Sequence, residues 1–384
     1  PPRLSFIWHW IRISAKKSWC TMTDDTATYI IASSDVLSPT ALWWRRFFIR
    51  VRSWEYWPVY VFNLPVLGIW IWNAIKARDF FFFALTNPGI ETGGFFGESK
   101  SAILDNIPDA FKPKTLLVKA DRTEESIDQL FHSSGLSFPV IAKPEVGERG
   151  WLISKIHSRE ELHTYLKEHP IDIILQTYVD LPLELSIMVY QTPDLKESAV
   201  TSICEKHFLQ IKGDGRTSIG KLIIGQDRAV LQYEKLRAKF GPRWDEILAH
   251  GETLILENVG NHCRGTMFLD RNREIDDAIT RQMIPLLRSM PEVYYGRFDM
   301  RVASWASLRA GKDIRILEFN GTSSDPAHIY QPGYSLWKAY RDMAFHWNVM
   351  YKISKQNRRL GHPPVTFKKI ISALILYFRY KRAN

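Results

Sequence analysis

The sequence predicts an α+β protein that begins with an apolar, aromatic N-terminal segment. Short β-rich runs alternate with charged, periodic helical stretches, without internal repeats or low-complexity linkers. The composition of 45% hydrophobic and 24% charged residues is typical of a globular protein, and 384 residues suffice for two or three packed subdomains. We expect an N-terminal segment over 1–83, a short region over 84–135, a main domain over 136–363 and a basic C-terminal helix over 364–384.

The first residues differ in character from those that follow. No Met opens the chain, and Met22 is a suitable start, so residues 1–21 are interpreted as upstream translation or an expression remnant. The alternative is an amphipathic leader, because Trp8 and Trp10 stand close to Arg12.

Charge and cysteine usage exclude some classes of protein. A net charge of +10 indicates an anionic partner, which is a nucleotide phosphate, an anionic lipid or a nucleic acid. Nucleic acid is the poorest of these, because the basic excess gathers at the apolar ends of the chain rather than along a polar groove. Cys20, Cys204 and Cys263 form no Cys-x-x-Cys pair, so the chain has neither a disulfide framework nor a thiolate zinc site, and a reducing, cytosolic setting is expected.

The segment 54–75 is apolar and about long enough to span a bilayer. Glu55, Pro58, Asn63 and Pro65 argue against a simple span, because they break the helix or place polar groups in hydrocarbon. A broken helix that dips into one leaflet, anchored by Trp and Tyr, fits this composition. The alternative is a buried core hairpin.

The C-terminal segment 364–384 is basic and amphipathic, and it is too short to span. It is expected to lie on an anionic lipid surface or to dock on the protein with a solvated basic end. With the N-terminal segment, it predicts a cytoplasmic protein, peripheral or monotopic on the inner membrane.

Polar side chains accompany several strands in an order that suits phosphate chemistry. Lys143 ends an apolar strand and is followed by the Gly-rich stretch 147–150. Asp299 lies on a later strand, with Glu318 and Asn320 on the next, and the period of two places the last two side chains on one face. Such oxygens are magnesium ligands, although a solvated lysine and a salt-bridged sheet surface are the alternatives.

These segments resemble the ATP-grasp ligases over residues 97–335. The last segments are similar to D-alanine–D-alanine ligase, and the Gly-Asp-Gly and Asn-rich segments to cyanophycin-synthetase-like enzymes. The resemblance implies an ATP-grasp fold, in which two α/β subdomains clasp ATP, with 136–363 as the catalytic domain. The segments are FPVIAKPEVGERG, LPLELSIMV, IKGDGRTSIGKLI, ENVGNHCRGT, YGRFDMRV and ILEFNGTSSDP.

The resemblance also implies an activity with ATP and Mg²⁺ as cofactors. A carboxylate is activated as an acyl phosphate and joined to an amine in an amide or peptide bond, with release of ADP and phosphate. Lys143 and Arg297 are then catalytic, the latter by steadying the tetrahedral intermediate. Nucleotide-binding residues are Lys143, Gly147, Arg149, Gly150, Gln176, Tyr178, Val179, Glu184 and Lys206; metal ligands are Asp299, Glu318 and Asn320; substrate-binding residues are Asn261, Arg264, Thr322 and Ser323.

The sequence departs from the family pattern in two places. Ser324-Asp325-Pro326 stands where Pro-Gly is usual, and the aromatic segment fills most of the space of a Rossmann-like domain. The Gly-rich motif around Gly93, Gly94 and Gly97, with Glu98 and Lys100, either closes the acceptor pocket or forms a turn packed on the sheet. The substrates are therefore expected only as a small-molecule or lipid-linked carboxylate and amine. The rival interpretation is a catalytically inactive, membrane-associated nucleotide-binding or scaffold protein.

Overall fold

The computed structural model describes residues 37–95, 97–147 and 150–382, with side chains up to residue 375. The expected start at Met22 and the expected nucleotide ligand Arg149 lie outside the described residues.

Two helices, α1 and α2, open the described chain. Ser38 caps α1 by accepting a hydrogen bond from the backbone of Ala41, and a short 3₁₀ turn separates the helices. Of the two predicted breaks in this segment, the one at Pro65 is wrong, because α2 continues through that residue, whereas Pro58 does separate the 3₁₀ turn from α2. Packing of Phe62 onto the protein offsets the backbone hydrogen bond that Pro65 removes. The bounds are α1 Pro39–Arg52, the 3₁₀ turn Trp54–Tyr56 and α2 Val59–Ala77.

The first lobe contains a four-stranded antiparallel sheet in the order β1-β4-β2-β3. Its apolar face packs against two helices, around the fully buried side chains of Val140, Ile173 and Leu175. The elements are β1 Thr115–Val118, α4 Glu124–Ser134, β2 Val140–Pro144, β3 Ser154–Ile156, α5 Arg159–Glu168 and β4 Ile173–Thr177.

The second lobe contains a five-stranded antiparallel sheet in the order β11-β10-β5-β6-β9. One face is covered by α9 and α10, and alternate residues of β5 and β10 supply its core. The elements are β5 Leu183–Gln191, β6 Ser198–His207, β9 Met267–Asp270, α9 Asp277–Arg288, β10 Tyr295–Val302, α10 Trp305–Ala310 and β11 Ile314–Asn320.

The remaining elements surround the second lobe. The long helix α11 packs against α2. The predicted C-terminal helix is present as α12, and its residues Ile370 and Ala373 are buried. These elements are α3 Lys100–Asp105, β7 Gln210–Lys212, α6 Ile219–Gly225, α7 Asp227–Val230, α8 Tyr233–Phe240, β8 Thr253–Ile255, α11 Leu336–Arg359 and α12 Phe367–Arg382, with 3₁₀ turns at Phe82–Thr86, Glu91–Gly93, Asp109–Phe111, Gly241–Arg243, His262–Arg264, Asn272–Glu274 and Ala327–Tyr330.

Within the described ranges, one helix meets the length and composition of a membrane span. This is α2, of whose most apolar window 22% is buried. The core helix of a soluble protein can meet the same criterion, so the criterion alone does not assign a span.

Candidate nucleotide-binding cleft

A cleft of about 880 Å³ lies between the two large sheets. The strands β2, β5, β10 and β11 line it, together with the loop 257–264 and the start of α2. Antiparallel pairing explains why the predicted residues meet here, because Asp299 stands opposite Glu318 and Arg297 opposite Asn320.

Lys143 connects the two sheets across the floor of the cleft. Its Nζ donates to Gln176 Oε1 at 3.2 Å and to Leu317 O on β11 at 2.9 Å. The side chain is buried, and this burial lowers the pKa of Lys143 to about 8, although nearby Glu318 acts in the opposite direction. The two lobes are therefore joined by a buried ammonium group at the place where a nucleotide phosphate is expected.

Asp299 is the most heavily bonded carboxylate of the cleft. It accepts from Arg297 Nε at 2.9 Å and from Ser186 Oγ at 2.6 Å, and Asn320 Nδ2 lies 3.3 Å away. Lys206 Nζ lies 3.4 Å from Asp299 Oδ2. Burial alone would raise the pKa of Asp299, but the charges of Arg297 and Lys206 outweigh it and hold the pKa well below the ordinary value. Asp299 thus fixes two cations that face the cleft.

Glu184 holds the opposite side of Lys206. Its carboxylate lies 3.5 Å from Lys206 Nζ and accepts from Arg301 Nε at 3.1 Å. The predicted ribose ligand therefore lies at the cleft but is engaged by two cations. Arg301 was not among the sequence candidates, although it follows Arg297 and Asp299 at the same period of two.

The oxygen donors predicted for magnesium fit this ion in chemistry and placement. Among the described residues, no hydrogen bond or ion pair engages the Glu318 carboxylate, and it faces the cleft beside Asp299. The described residues contain no group of three or more His, Cys, Asp or Glu that suits a metal. The set therefore consists of two carboxylates and the Asn320 amide, which is a composition that Mg²⁺ accepts when phosphate oxygens complete its shell.

The predicted adenine contacts are mostly engaged within the protein. Gln176 is buried, accepts from Lys143 and donates to Thr115 Oγ1 at 3.3 Å. The Val179 carbonyl accepts from Arg301 Nη1 at 2.9 Å, and Val179 lines the cleft. The ring of Tyr178 is covered by the Lys155 ammonium at 3.6 Å. Lys155 is a further cleft-lining cation that the sequence did not single out.

The Gly-rich stretch after β2 contacts the start of α3. Gly147 and Gly150 both have positive φ, at 151° and 72°, which a residue with a side chain adopts only with strain. Lys100 Nζ donates to Gly147 O, and this hydrogen bond joins α3 to the loop. Lys100 lines the cleft as well, and only its place beside a Gly-rich motif hinted at this.

The expected substrate residues divide into two groups. Asn261, Arg264 and Ser323 line the cleft, with Asn261 capping the backbone of Cys263 and Arg264 3.7 Å from Glu257. Thr322 does not, because its hydroxyl donates to Gly93 O at 3.2 Å and the residue is buried.

The glycines of residues 93–97 form a turn packed on the end of β11. The backbones of Gly94 and Gly321 approach so closely that a Cβ on Gly94 would lie 2.8 Å from the Gly321 Cα. Backbone hydrogen bonds from Thr322 and Ser323 to Gly93 and Gly94 complete the contact. Gly93 and Gly94 thus form the turn packed on the sheet, whereas Gly97, Glu98 and Lys100 line the cleft.

The N-terminal segment supplies one wall of the cleft. Glu55 accepts from Arg228 at 2.8 Å and bonds His262 at 2.9 Å, which fixes the loop 257–264. Burial would raise the pKa of Glu55, but the His262 and Arg228 contacts outweigh it and lower the pKa. The carboxylate expected to interrupt a membrane segment is therefore a buried structural partner.

Comparisons with known proteins give distant structural similarities. No protein-family model and no curated protein matches the sequence. The chain is similar to the D-alanine–D-alanine ligase from Bacillus anthracis, with 11% identity and a TM-score of 0.40 over 68% of this chain and 69% of that one. It is also similar to the VanG D-Ala:D-Ser ligase from Enterococcus faecalis, with 16% identity and a TM-score of 0.37 over 66% of this chain and 61% of that one.

A third similarity is to a bifunctional glutathione synthetase from Pasteurella multocida, with 13% identity and a TM-score of 0.36 over 64% of this chain. The chain spans 35% of that structure and 61% of the VanG structure. With identities of at most 16% and TM-scores of at most 0.40, these similarities carry no part of the functional argument, which rests on the cleft.

Proposed function

We propose that the chain is an ATP- and Mg²⁺-dependent carboxylate–amine ligase that works through an acyl phosphate. The observation that carries this proposal is the composition of the cleft floor. Lys143 is buried there, and the partly buried cations Lys206 and Arg297, whose side chains are 7% and 20% exposed, converge on the same floor. Beside them, Glu318 presents a carboxylate that no hydrogen bond or ion pair engages among the described residues. A polyanion with a bound divalent cation satisfies both features at once, whereas a neutral ligand satisfies neither.

The residues act in the following way. Lys143 and Lys206 bind the phosphates, and Lys143 exchanges its contacts with Gln176 and Leu317 for phosphate oxygens. The substrate carboxylate attacks the γ-phosphorus, the bond to the β-phosphate oxygen breaks, and ADP leaves. The amine then attacks the acyl carbon, and inorganic phosphate leaves as the amide forms. Arg297, held rigid by Asp299 and by the carbonyl of Asp325 at 3.1 Å, offsets the negative charge on the carbonyl oxygen.

Asp299, Glu318 and Asn320 are the residues that would hold magnesium, which when bound neutralises phosphate charge. Since Asp299 is already shared by two cations, Glu318 is the ligand whose loss should weaken magnesium binding most.

The test is ADP release from ATP, measured with the soluble metabolites and, separately, with the extracted lipids of the cell of origin. We expect Glu318→Gln to abolish release at magnesium concentrations that saturate the unmodified chain. The matched control is Glu246→Gln, which removes a carboxylate from an exposed ion pair with Arg243 outside the cleft, and it should leave release unchanged. ATP binding without release under any of these conditions would instead support the inactive scaffold.

We also propose that the chain binds the cytoplasmic face of a membrane. The support is that α1 and α2 each expose an apolar stripe with helical spacing while their opposite faces pack on the protein. The exposed basic ends Arg50, Arg52 and Lys76 suit anionic headgroups. The stripes are Trp43, Trp44, Phe47, Phe48 and Val51 on α1, and Tyr60, Leu64, Leu67, Ile71 and Ile75 on α2.

Flotation with phosphatidylglycerol–phosphatidylcholine vesicles tests this attachment. The unmodified chain should float with the vesicles, and the double variant Phe48→Ser and Leu64→Ser should float at least fivefold less. Both positions are about half exposed or more, so the fold should survive. A chain that stays with the soluble fraction would contradict the attachment and leave the proposed ligase activity untouched.

A further inference from the structure

One wall of the cleft is aromatic and apolar, in contrast to its charged floor. It is formed by the 3₁₀ turn Trp54–Tyr56, the residues that follow it and the start of α2, facing the turn Ala327–Tyr330. The Trp54 ring lies 5.8 Å from the Tyr330 ring, and the ring of Phe62 packs behind both. The wall residues are Trp54, Trp57, Pro58, Val59, Phe62, Phe268, Ala327 and Tyr330.

The polar atoms of these rings are hydrogen-bonded within the protein. Trp54 Nε1 donates to the Tyr334 carbonyl at 2.7 Å, and Trp57 Nε1 donates to the Arg50 carbonyl at 2.9 Å. Tyr330 Oη donates to Asp325 Oδ2 at 2.7 Å. The rings therefore offer a ligand carbon surface. Glu55 and His262, which also line this side of the cleft, are hydrogen-bonded to each other. Polar substrate groups that lie against the rings would be desolvated without compensation.

This wall is connected to the reacting end of the cleft. Asp325 accepts from Tyr330 through its side chain and from Arg297 through its carbonyl, so one residue lies between the aromatic wall and the oxyanion-binding arginine. A ligand group held at Arg297 thus has the apolar wall as its neighbour.

The other end of the wall reaches the surface of the protein. Val59, the first residue of α2, lines the cleft and is 42% exposed, and the next residue, Tyr60, is 72% exposed on the outer stripe. A ligand chain that follows the wall is therefore not limited by a closed end.

We propose that this wall is a subsite for the apolar chain of the carboxylate substrate, whose charged head lies at the Arg297 end. This inference rests on the proposed function for the identity of the head group. An acid is favoured over an amine because Lys206 and Arg297 present N–H donors at that end, where both are positioned by Asp299. The chain thus acts on amphiphilic acids rather than on small polar amino acids.

Binding of acetate, hexanoate and decanoate, measured by calorimetry without nucleotide, tests the subsite. Each buried methylene tightens binding up to about fourfold, which is about 0.8 kcal/mol, so hexanoate should bind at least tenfold more tightly than acetate. Val59→Asn should reduce this preference about tenfold, and Val59→Ile should retain it. The matched control is Tyr60→Asn, which makes the same polar change one residue away on the outer face.

Equal binding of acetate and hexanoate would overturn the inference. So would a loss of preference in Tyr60→Asn as large as that in Val59→Asn, because the acids would then bind the outer stripe. ADP release is measured in parallel to separate the two proposals. Release with small acids and no chain-length preference overturns only the subsite, whereas a chain-length preference with no release under any acid overturns only the ligase.

Discussion

Replacing Lys143 with Met should change how the stability of the protein depends on pH. In the folded chain the ammonium is buried, and its pKa lies at about 8 rather than at the ordinary 10.5. Between about pH 8 and pH 10.5, the unfolded chain therefore binds more protons than the folded chain. Because stability rises with pH wherever the unfolded state holds the extra proton, the native protein gains stability as pH rises through this window.

The magnitude follows from the size of the shift. A lowering from 10.5 to about 8 corresponds to about 3 kcal/mol, at about 1.36 kcal/mol for each pKa unit. The free energy of unfolding of the native chain should thus increase by about 3 kcal/mol relative to that of Lys143→Met between about pH 7 and pH 10.5. Below about pH 7 the difference between the two proteins should be constant.

Urea unfolding at several pH values measures this difference, and subtraction of the two curves removes the groups that titrate in both proteins. Parallel curves would refute the argument, because they would show that the Lys143 ammonium keeps its ordinary pKa in the folded chain. The same variant should lose ADP binding, so the residue that stabilises the nucleotide complex destabilises the free protein.

Three further results are expected. At about pH 8.5, ADP binding should be accompanied by the uptake of about 0.7 proton, because the phosphates restore the charge of Lys143. Calorimetry in two buffers of different ionisation enthalpy measures this uptake, and zero uptake would contradict the expected protonation of Lys143. Glu55→Gln should lower the free energy of unfolding, measured in urea, by about 3 kcal/mol or more, because it breaks a buried ion pair. Glu234→Gln, in an exposed ion pair, should lower it by about 1 kcal/mol or less. Equal losses of stability would show that burial is not the reason for the difference. Gly68→Ala, on the open side of α2, should stabilise the protein by about 1 kcal/mol. Gly220→Ala should lower the melting temperature, because the new Cβ would lie 2.1 Å from Trp244 Nε1. An unchanged melting temperature for Gly220→Ala would mean that the Trp244 indole moves without a loss of stability.

The strands of the cleft were predictable because their apolar runs and polar ends obey a local period. Asp299, Glu318 and Asn320 fall on one face by alternation, and pairing of β10 with β11 brings them opposite one another. The same alternation, extended by one step, would have found Arg301.

What the sequence did not predict depends on contacts between distant parts of the chain. Thr322 turns away from the cleft because the Gly93 carbonyl, more than two hundred positions earlier, accepts its hydroxyl. Glu184 is engaged because strand pairing brings Arg301 beside it. Likewise, α2 continues through Pro65 because α11 supplies a packing surface that no local pattern reveals.

Glu55 also determines which variants can separate membrane attachment from activity. Its carboxylate is the buried counter-charge of Arg228 and the partner of His262, although it belongs to the segment that carries the exposed stripes. A deletion that removes the segment to make the protein easier to handle would leave Arg228 without its carboxylate partner and release the loop beside the charged floor of the cleft. Loss of activity in such a truncated chain would then report a collapsed cleft wall rather than a need for lipid, so single surface substitutions are the valid way to separate attachment from catalysis.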